Sequence, residues 1–283
     1  MEHNSFILVD DDLSDNIKAL DRGLAYGDGL FETMRFSRGQ VPLLEAHLAR
    51  LERGCHVLSI VFNRDLVSRR LAKAIEFLQR SEVSNAVIKL ILTRGVGGRG
   101  YSPAGCDNAT TVIATFSQPE FPAYYVEQGV DITVCSNTLS SSKSLAGIKH
   151  LNKLEYVLAA KEWGAEGFQE GLLCDNAGNI VEATSRNIFV VKKSCLYTPP
   201  IENCGVLGVL RERILIEVCD LLGLSYYVEN IRIDDVVSAD EVFLCNSVTG
   251  IWPVRTIDTA ILPVSRPITT ATRECLARKY GYN

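Results

Sequence analysis

Apolar positions recur along this chain with two periods, and the change from one to the other marks the elements. Leu44, Leu48, Leu51 and Cys55 fall four, three and four apart, one face of a helix. A second helical pattern covers residues 66–80. Residues 30–36 and 40–44 read as a hairpin about Ser37-Arg38-Gly39, and residues 86–93 and 110–116 as strands joined by the glycine-rich stretch 95–100. Two prolines in residues 117–125 (SQPEFPAYY) interrupt the strand pattern, since proline cannot donate to a ladder, and predict a linker.

Beyond it, residues 130–135 are strand-like. The helix after Lys149 should present Leu151, Leu154 and Leu158 on one face and stop near Gly164. Residues 171–174 and 180–183 flank a turn at Asp175-Asn176-Ala177-Gly178, and residues 187–191 and 195–198 make another hairpin. A helix runs from about Gly208 to Leu222, and residues 241–246 form a strand. Strands paired by short turns predict antiparallel rather than doubly wound parallel sheet. The expectation is an α+β protein of two domains: a small one over 1–118, a linker at 119–124, and a larger one over 125–283.

Composition narrows the function. With 283 residues, 47% of them hydrophobic and 22% charged, the chain can bury a large core. A net charge of −5 gives no footprint for nucleic acid or an anionic membrane. No apolar run approaches the roughly 18 residues of a membrane span, and the acidic start MEHNSFILVDDD, with no basic region before an apolar one, does not read as a signal peptide. The 9 cysteines form no CxxC pair and read as reduced thiols of a cytoplasmic protein. His3, His47, His56 and His150 show no metal-ligand spacing, so no metal is expected.

The candidate chemistry centres on LAGIKHLNKLE (145–155). Lys149 sits between a small-residue apolar segment and a helix, where an amine can be held still and partly desolvated. Desolvation disfavours the ammonium form and makes the amine nucleophilic toward an aldehyde. The bland alternative is a solvated lysine at a helix start. Lys143 and Lys153 are the local competitors, and Lys153 should point to solvent. Glu182, between Val181 and Ala183 in a strand, either faces water or has a buried partner.

Arg50 lies beside an apolar helix stripe, and its fork suits a phosphate; otherwise it is a surface arginine paired with Glu52 or Glu45. His47, one turn away, orients it or packs. Free N–H groups where the helix opens after Gly205-Val206-Leu207-Gly208 suit an anion. The loop 94–101 carries Arg94 and Arg99 among glycines and is the best candidate for recognising carboxylates, against the plainer reading of a mobile hairpin tip. Trp163 and Trp252 read as packing residues.

The words GIKHLN (147–152), VEATSRNIF (181–189), RGVGGRGYS (94–102) and FLCNSVTGIWPV (243–254) resemble the fold-type-IV pyridoxal-phosphate enzymes. That group includes branched-chain and D-amino-acid aminotransferases and 4-amino-4-deoxychorismate lyase, and the wording is most similar to the lyase branch. The resemblance runs from about Arg22 to Val254. It implies a small α/β-sandwich domain and a larger antiparallel pseudo-barrel that carries Lys149, as in D-amino-acid aminotransferase.

It also implies pyridoxal 5′-phosphate as cofactor, Lys149 as the Schiff-base lysine, and Glu182 at the ring nitrogen. The phosphate falls to Arg50, the amides of Val209 and Leu210, and the Ser247 hydroxyl. The substrate falls to Arg99, Phe31, Tyr101, Asn246 and Thr249, although Phe31 by itself could be core. One departure is Ala183, where relatives usually have glycine. The implied activity is conversion of an aminodeoxychorismate to 4-aminobenzoate and pyruvate in folate synthesis. The alternatives are aminotransfer to D-amino or branched-chain amino acids, or a non-catalytic protein that stores or senses the cofactor. The implied assembly is a homodimer.

Overall fold

The computed structural model describes residues 6–282; residues 1–5, with His3 and the start of the acidic N-terminal stretch, and residue 283 lie outside the described residues. The chain divides into two compact units. One comprises Met1–Pro119 with Ile148–Asn152, the other Glu120–Gly147 with Lys153–Asn283. The lysine segment 148–152 thus belongs to the smaller unit, whereas the sequence reading had placed Lys149 in the larger domain. The cause is backbone pairing of this segment with residues 29–31 of the smaller unit.

In the smaller unit the elements are β1 (Ile7–Val9), β2 (Asp12–Leu13), α1 (Arg22–Tyr26), β3 (Gly29–Ser37), α2 (Leu44–Leu58), α3 (Arg64–Arg80), β4 (Asn85–Thr93) and β5 (Thr110–Ser117). The strands form one antiparallel sheet in the order β2-β1-β5-β4-β3. Alternation along β3 buries Leu30, Glu32, Met34 and Phe36 and leaves Phe31 and Thr33 half-exposed on the other face. Met34, Phe36, Ile88 and Leu90 are completely buried, as are Leu51 and Leu71 from the helices to within 1%. Each such side chain is worth roughly 1.5–3 kcal/mol of burial.

The expected hairpin between 30–36 and 40–44 does not form. Only Ser37 and Gln40 bridge, Arg38 and Gly39 make the turn at φ 51° and 77°, and α2 begins at Leu44 after Pro42. The long partner of β3 is β4, paired residue for residue from Gly29↔Thr93 to Ser37↔Asn85. The pattern at 40–44 was too short to compete with a nine-residue ladder.

In the larger unit the elements are α4 (Tyr124–Glu127), β6 (Val130–Leu139), α5 (Leu154–Glu166), β7 (Glu170–Asp175), β8 (Ile180–Ala183), β9 (Asn187–Lys192), β10 (Cys195–Thr198), α6 (Val209–Arg213), α7 (Cys219–Leu222), β11 (Tyr226–Val228), α8 (Ile233–Val237), β12 (Glu241–Asn246), β13 (Gly250–Ile257), β14 (Ala260–Ile261) and α9 (Pro267–Tyr280). A π-helical turn, Ile214–Val218, joins α6 to α7, so the helix expected over 208–222 is one helical run with a local widening. The sheet order is β11-β10-β9-β12-β13-β6-β7-β8, with β14 on β13. Ile231, just past β11, bridges to Ile180 of β8, so the two ends of the sheet curl toward each other. The sheet is mixed rather than purely antiparallel: β6 runs parallel to both β7 and β13, and β10 parallel to β11. Its core gathers Val130, Ile132, Leu172, Ala183, Ile188, Val242 and Leu244.

Helix α5 turns a different face inward from the one expected. Tyr156, Ala159 and Trp163 face the sheet, while Leu154 and Leu158 are 78% and 53% exposed. Counting leucines missed that Tyr156 and Trp163 have hydrogen-bond partners inside. The helix also runs through Gly164 and stops at Gly167, whose φ of 82° provides the left-handed cap. Lys153 does not project into solvent; its ammonium lies 4.3 Å from the centre of the Tyr156 ring.

Candidate functional site

In the smaller unit the segment 148–152 lies along β3 as an extra antiparallel partner. His150 bridges to Leu30, Phe31 N donates to Lys149 O at 2.9 Å, and Leu151 N donates to Gly29 O at 3.0 Å. This register sets Lys149 opposite Phe31, with both side chains on one face. The Lys149 ammonium lies 4.4 Å from the Phe31 ring centre, and the Lys89 ammonium lies 5.5 Å from the same ring. Lys149 is half-buried. Its backbone is therefore fixed by a ladder, while its amine stands over an aromatic face.

On the other face of β3 lies a buried cluster that the sequence reading only half saw. Arg50 donates from Nε to Glu32 Oε1 at 2.8 Å and from Nη2 to Oε2 at 2.5 Å. His47 Nδ1 sits 2.6 Å from Glu32 Oε2. The fork of Arg50 holds Glu32, while Glu45 and Glu52 both bind Arg64. Burial alone would raise the Glu32 carboxyl, but the Arg50 guanidinium and His47, through electrostatics and hydrogen bonds, outweigh it and draw it down from 4.5 to about 2. Burial lowers the His47 pKa despite Glu32 beside it, and because Nδ1 faces a carboxylate oxygen, Nδ1 is the nitrogen that carries the shared N–H. The signal in sequence was a glutamate on the core-facing alternation of β3, with His47 and Arg50 three apart on the helix packed above it.

A carboxyl with a depressed folded pKa adds stability above its unfolded pKa and loses it as pH falls through the folded value. We therefore expect stability to fall between pH 4.5 and about 2, with Glu32→Gln flattening that part of the curve. Thermal melts of both proteins across that range check it.

The loop after β4 holds the remaining candidates of this unit. Arg94 is buried and structural: Nε donates to Asp28 at 2.7 Å, and its two terminal nitrogens donate to Ser59 O and Leu58 O at 2.9 and 2.7 Å. Those carbonyls end α2. Arg99 is exposed, and Tyr101 is 85% exposed with its ring edge-on to Tyr26 at 5.4 Å. Of the two loop arginines, Arg99 alone is presented outward.

In the larger unit Glu182 lies on β8 and is 3% exposed. Its Oε1 accepts from Tyr156 OH at 2.5 Å, and its Oε2 accepts from Asn187 Nδ2 at 3.1 Å and Val206 N at 3.2 Å. Burial, then the Glu182 charge, push the Tyr156 pKa far upward, so the phenol keeps its proton and donates. Three donors hold this carboxylate in one orientation, which answers the question of its buried partner. Tyr156 and Asn187 escaped the sequence reading, because a tyrosine on a helix and an asparagine opening a strand carry no local sign of pairing with residue 182. Ala183 is buried in the neighbouring core without disturbing this network.

Asn187 also donates to Val206 O at 3.0 Å, which ties the carboxylate to the 205–208 turn. Gly208 must be glycine there, since a Cβ would stand 1.9 Å from Asn187 Oδ1. Immediately after it, Val209 and Leu210 open α6 with buried side chains, and their amides lie in the first turn, where N–H groups have no intrahelical acceptor. Gly147 pairs with the same turn: its N donates to Gly205 O at 3.0 Å, and its O accepts from Leu207 N at 3.1 Å.

At the end of β12, the Asn246 oxygen accepts from Val248 N, Thr249 N and Thr249 Oγ1 at 2.9–3.0 Å, and its amide donates to Ser185 O at 3.2 Å. Thr249 also accepts from Arg186. Asn246 and Thr249, expected to face substrate, thus hold their own turn together and set Ser247, which is half-buried between them. Arg186 is another residue missed. It lies flat over Trp252 at 3.4 Å, and burial lowers its pKa to about 10. Among the described residues no group of three or more His, Cys, Asp and Glu could hold a metal, and no helix is long and apolar enough to cross a membrane.

Residues 29–257 match the family model described as Amino-transferase class IV. The chain is 35% identical to an aminodeoxychorismate lyase of Vibrio harveyi over 89% of its own length and 92% of that protein. It is 32% identical to a putative branched-chain-amino-acid aminotransferase of Methanocaldococcus jannaschii, over 89% and 86%. Among solved structures it resembles a 4-amino-4-deoxychorismate lyase from Pseudomonas aeruginosa with a TM-score of 0.89 and 38% identity, over 96% of this chain and 98% of that one.

Proposed function

The chain belongs to the class IV aminotransferase family, and from that premise we propose that it is an aminodeoxychorismate lyase, releasing 4-aminobenzoate and pyruvate from 4-amino-4-deoxychorismate for folate synthesis. The observation that carries the reading is that the Vibrio relative and the Pseudomonas structure, alike along nearly their whole length, are both lyases.

The cofactor is pyridoxal 5′-phosphate, which supplies an aldehyde for the substrate's amine and a ring that accepts electron density. The residues present fit it. Glu182 is a buried carboxylate fixed by three donors, as a partner for a protonated ring nitrogen must be. The Val209 and Leu210 amides at a helix start and the Ser247 hydroxyl suit a phosphate. Glu32 holds Arg50 through Nε and Nη2 and so fixes a guanidinium whose planar fork suits a phosphate. Lys149 would hold the cofactor through its aldehyde carbon. Its amine, when free, would take the C4 proton and then give a proton to the departing enolpyruvyl group. Arg99 takes a substrate carboxylate, while Phe31 and Tyr101 border the substrate.

The same scaffold supports a second reading, an aminotransferase for D-amino or branched-chain amino acids, favoured by the Methanocaldococcus likeness. Incubation with aminodeoxychorismate, followed by 4-aminobenzoate fluorescence and pyruvate release, decides. No product, together with amino transfer from D-alanine or leucine to 2-oxoglutarate, would favour the second reading. Steady turnover of either kind removes a non-catalytic store or sensor of the cofactor.

The reading brings with it a cytoplasmic homodimer. Its 9 cysteines, all thiols, suit a reducing compartment. Leu154, Val157 and Leu158 stand exposed on α5 as apolar surface that a second subunit would cover. Sedimentation of the holoenzyme checks the dimer.

A further inference from the structure

A loop that reads carboxylates needs its cationic side chain at a fixed place, yet the stretch 95–102 carries four glycines and no long ladder. What holds it is Arg22, the first residue of α1, only 4% exposed. Its Nη1 donates to Gly100 O at 3.0 Å and Ser102 O at 3.4 Å, and its Nη2 donates to Tyr101 O at 3.0 Å. One guanidinium thus grips three successive carbonyls. Its Nε donates to Asp28 at 2.9 Å, and Asp28 also accepts from Arg94, which is anchored on the end of α2. Burial would raise the Asp28 carboxyl, but hydrogen bonds from Arg94 and Arg22 keep it low, so the charge of Arg22 is balanced.

The path of Arg22 is built into the loop. A Cβ on Gly97 would stand 2.6 Å from Arg22 Cδ and 2.7 Å from Cys106 Sγ, so only glycine lets the side chain pass. At the loop's base Arg22 N donates to Gly95 O at 2.9 Å, and Asp21, which caps α1, accepts from Thr93 Oγ1 at 2.9 Å. The guanidinium also lies 4.9 Å from the Tyr26 ring, the same ring that meets Tyr101.

We propose that Arg22 is the positioning residue of the substrate loop: by holding the carbonyls of residues 100–102 it fixes where Arg99 and Tyr101 stand, and so sets affinity for the substrate's carboxylates without touching substrate. The proposal rests on the reading of this loop given under Proposed function. Lysine cannot replace Arg22 fully, because a single ammonium lacks the planar fork that reaches several carbonyls at once.

The test uses wild-type, Arg22→Met, Arg22→Lys and Gly97→Ala holoenzymes. Trypsin cleavage after Arg99, followed by mass spectrometry, reads the loop; kcat and KM for aminodeoxychorismate read its consequence. Arg22→Met is expected to be cut about ten-fold faster, since local opening exposes the bond. Its KM is expected to rise about ten-fold with kcat within about three-fold, the mark of lost ground-state binding.

Arg22→Lys should fall between Met and wild type. Gly97→Ala keeps the guanidinium but blocks its path, and should behave like Arg22→Met; it decides alone if the Met variant does not fold. Unchanged cleavage in these variants overturns the proposal, as does a fall in kcat at constant KM. If wild type forms no 4-aminobenzoate, the lyase reading fails, while the cleavage rates still test the hold of Arg22 on the loop.

Discussion

Replacing Lys149 with alanine is expected to remove turnover by at least about three orders of magnitude, as removal of an essential nucleophile does elsewhere. It should also erase the visible absorbance of the lysine-bound cofactor. The two lysines that could compete are held elsewhere. Lys153 lies over Tyr156, and its position on α5 is fixed by that helix. Lys89 shares the Phe31 ring with Lys149 but is carried on β4, one strand further into the sheet. A Lys149→Ala protein with unimpaired lyase activity would sink the assignment. Cofactor that remains bound, yet spectrally free, would locate the loss in the chemistry rather than in binding.

Glu182→Gln should have the next largest effect, a fall in kcat of about 10²–10⁴-fold, the range for a group that governs proton position in the transition state. The amide has nearly the shape of the carboxylate, and Tyr156, Asn187 and Val206 N remain to contact it. What disappears is the negative charge that, on the proposed reading, would keep a ring nitrogen protonated. Because Tyr156, Asn187 and Val206 N all donate to Glu182, the amide's NH₂ end also meets a donor, and some stability is lost as well. Stopped-flow spectra with substrate, beside thermal melts, separate the two effects. Activity within two-fold of wild type would remove Glu182 from the chemistry.

The sequence made the elements legible wherever one period ran long enough to dominate its neighbours. Helices α2 and α3, strands β4, β5 and β12, and the two hairpins of the larger unit followed directly from spacing and turn residues. Residues 40–44 failed for want of length, and α5 failed because the interior preferred a tyrosine and a tryptophan with partners over leucines without them. Parallel pairing of β6 with β7 and β13 could not be read, since neither strand's alternation records the direction of its neighbour.

The site divides in the same manner. Lys149 and Glu182 stand in phrases whose wording carries a family resemblance, and Arg50 stood out beside the apolar stripe of its helix. Glu32, Tyr156, Asn187 and Arg22 do their work through partners 5 to 80 positions away, and a linear reading has no access to those pairings. Arg94 shows the reverse error: a guanidinium among glycines suggested a ligand, but its donors are consumed by Asp28 and the end of α2.

The pairing of segment 148–152 with β3 has a consequence for redesign. Faces alternate along an extended segment, so an amine transplanted to position 148 or 150 would emerge on the side opposite Phe31, however similar its surroundings in sequence. Only a shift of two, to position 151, keeps the face, and there it would meet Gly29 instead of an aromatic ring. The reactive nitrogen is therefore addressed by parity of the main chain, and directed evolution that moves this lysine must move the register with it.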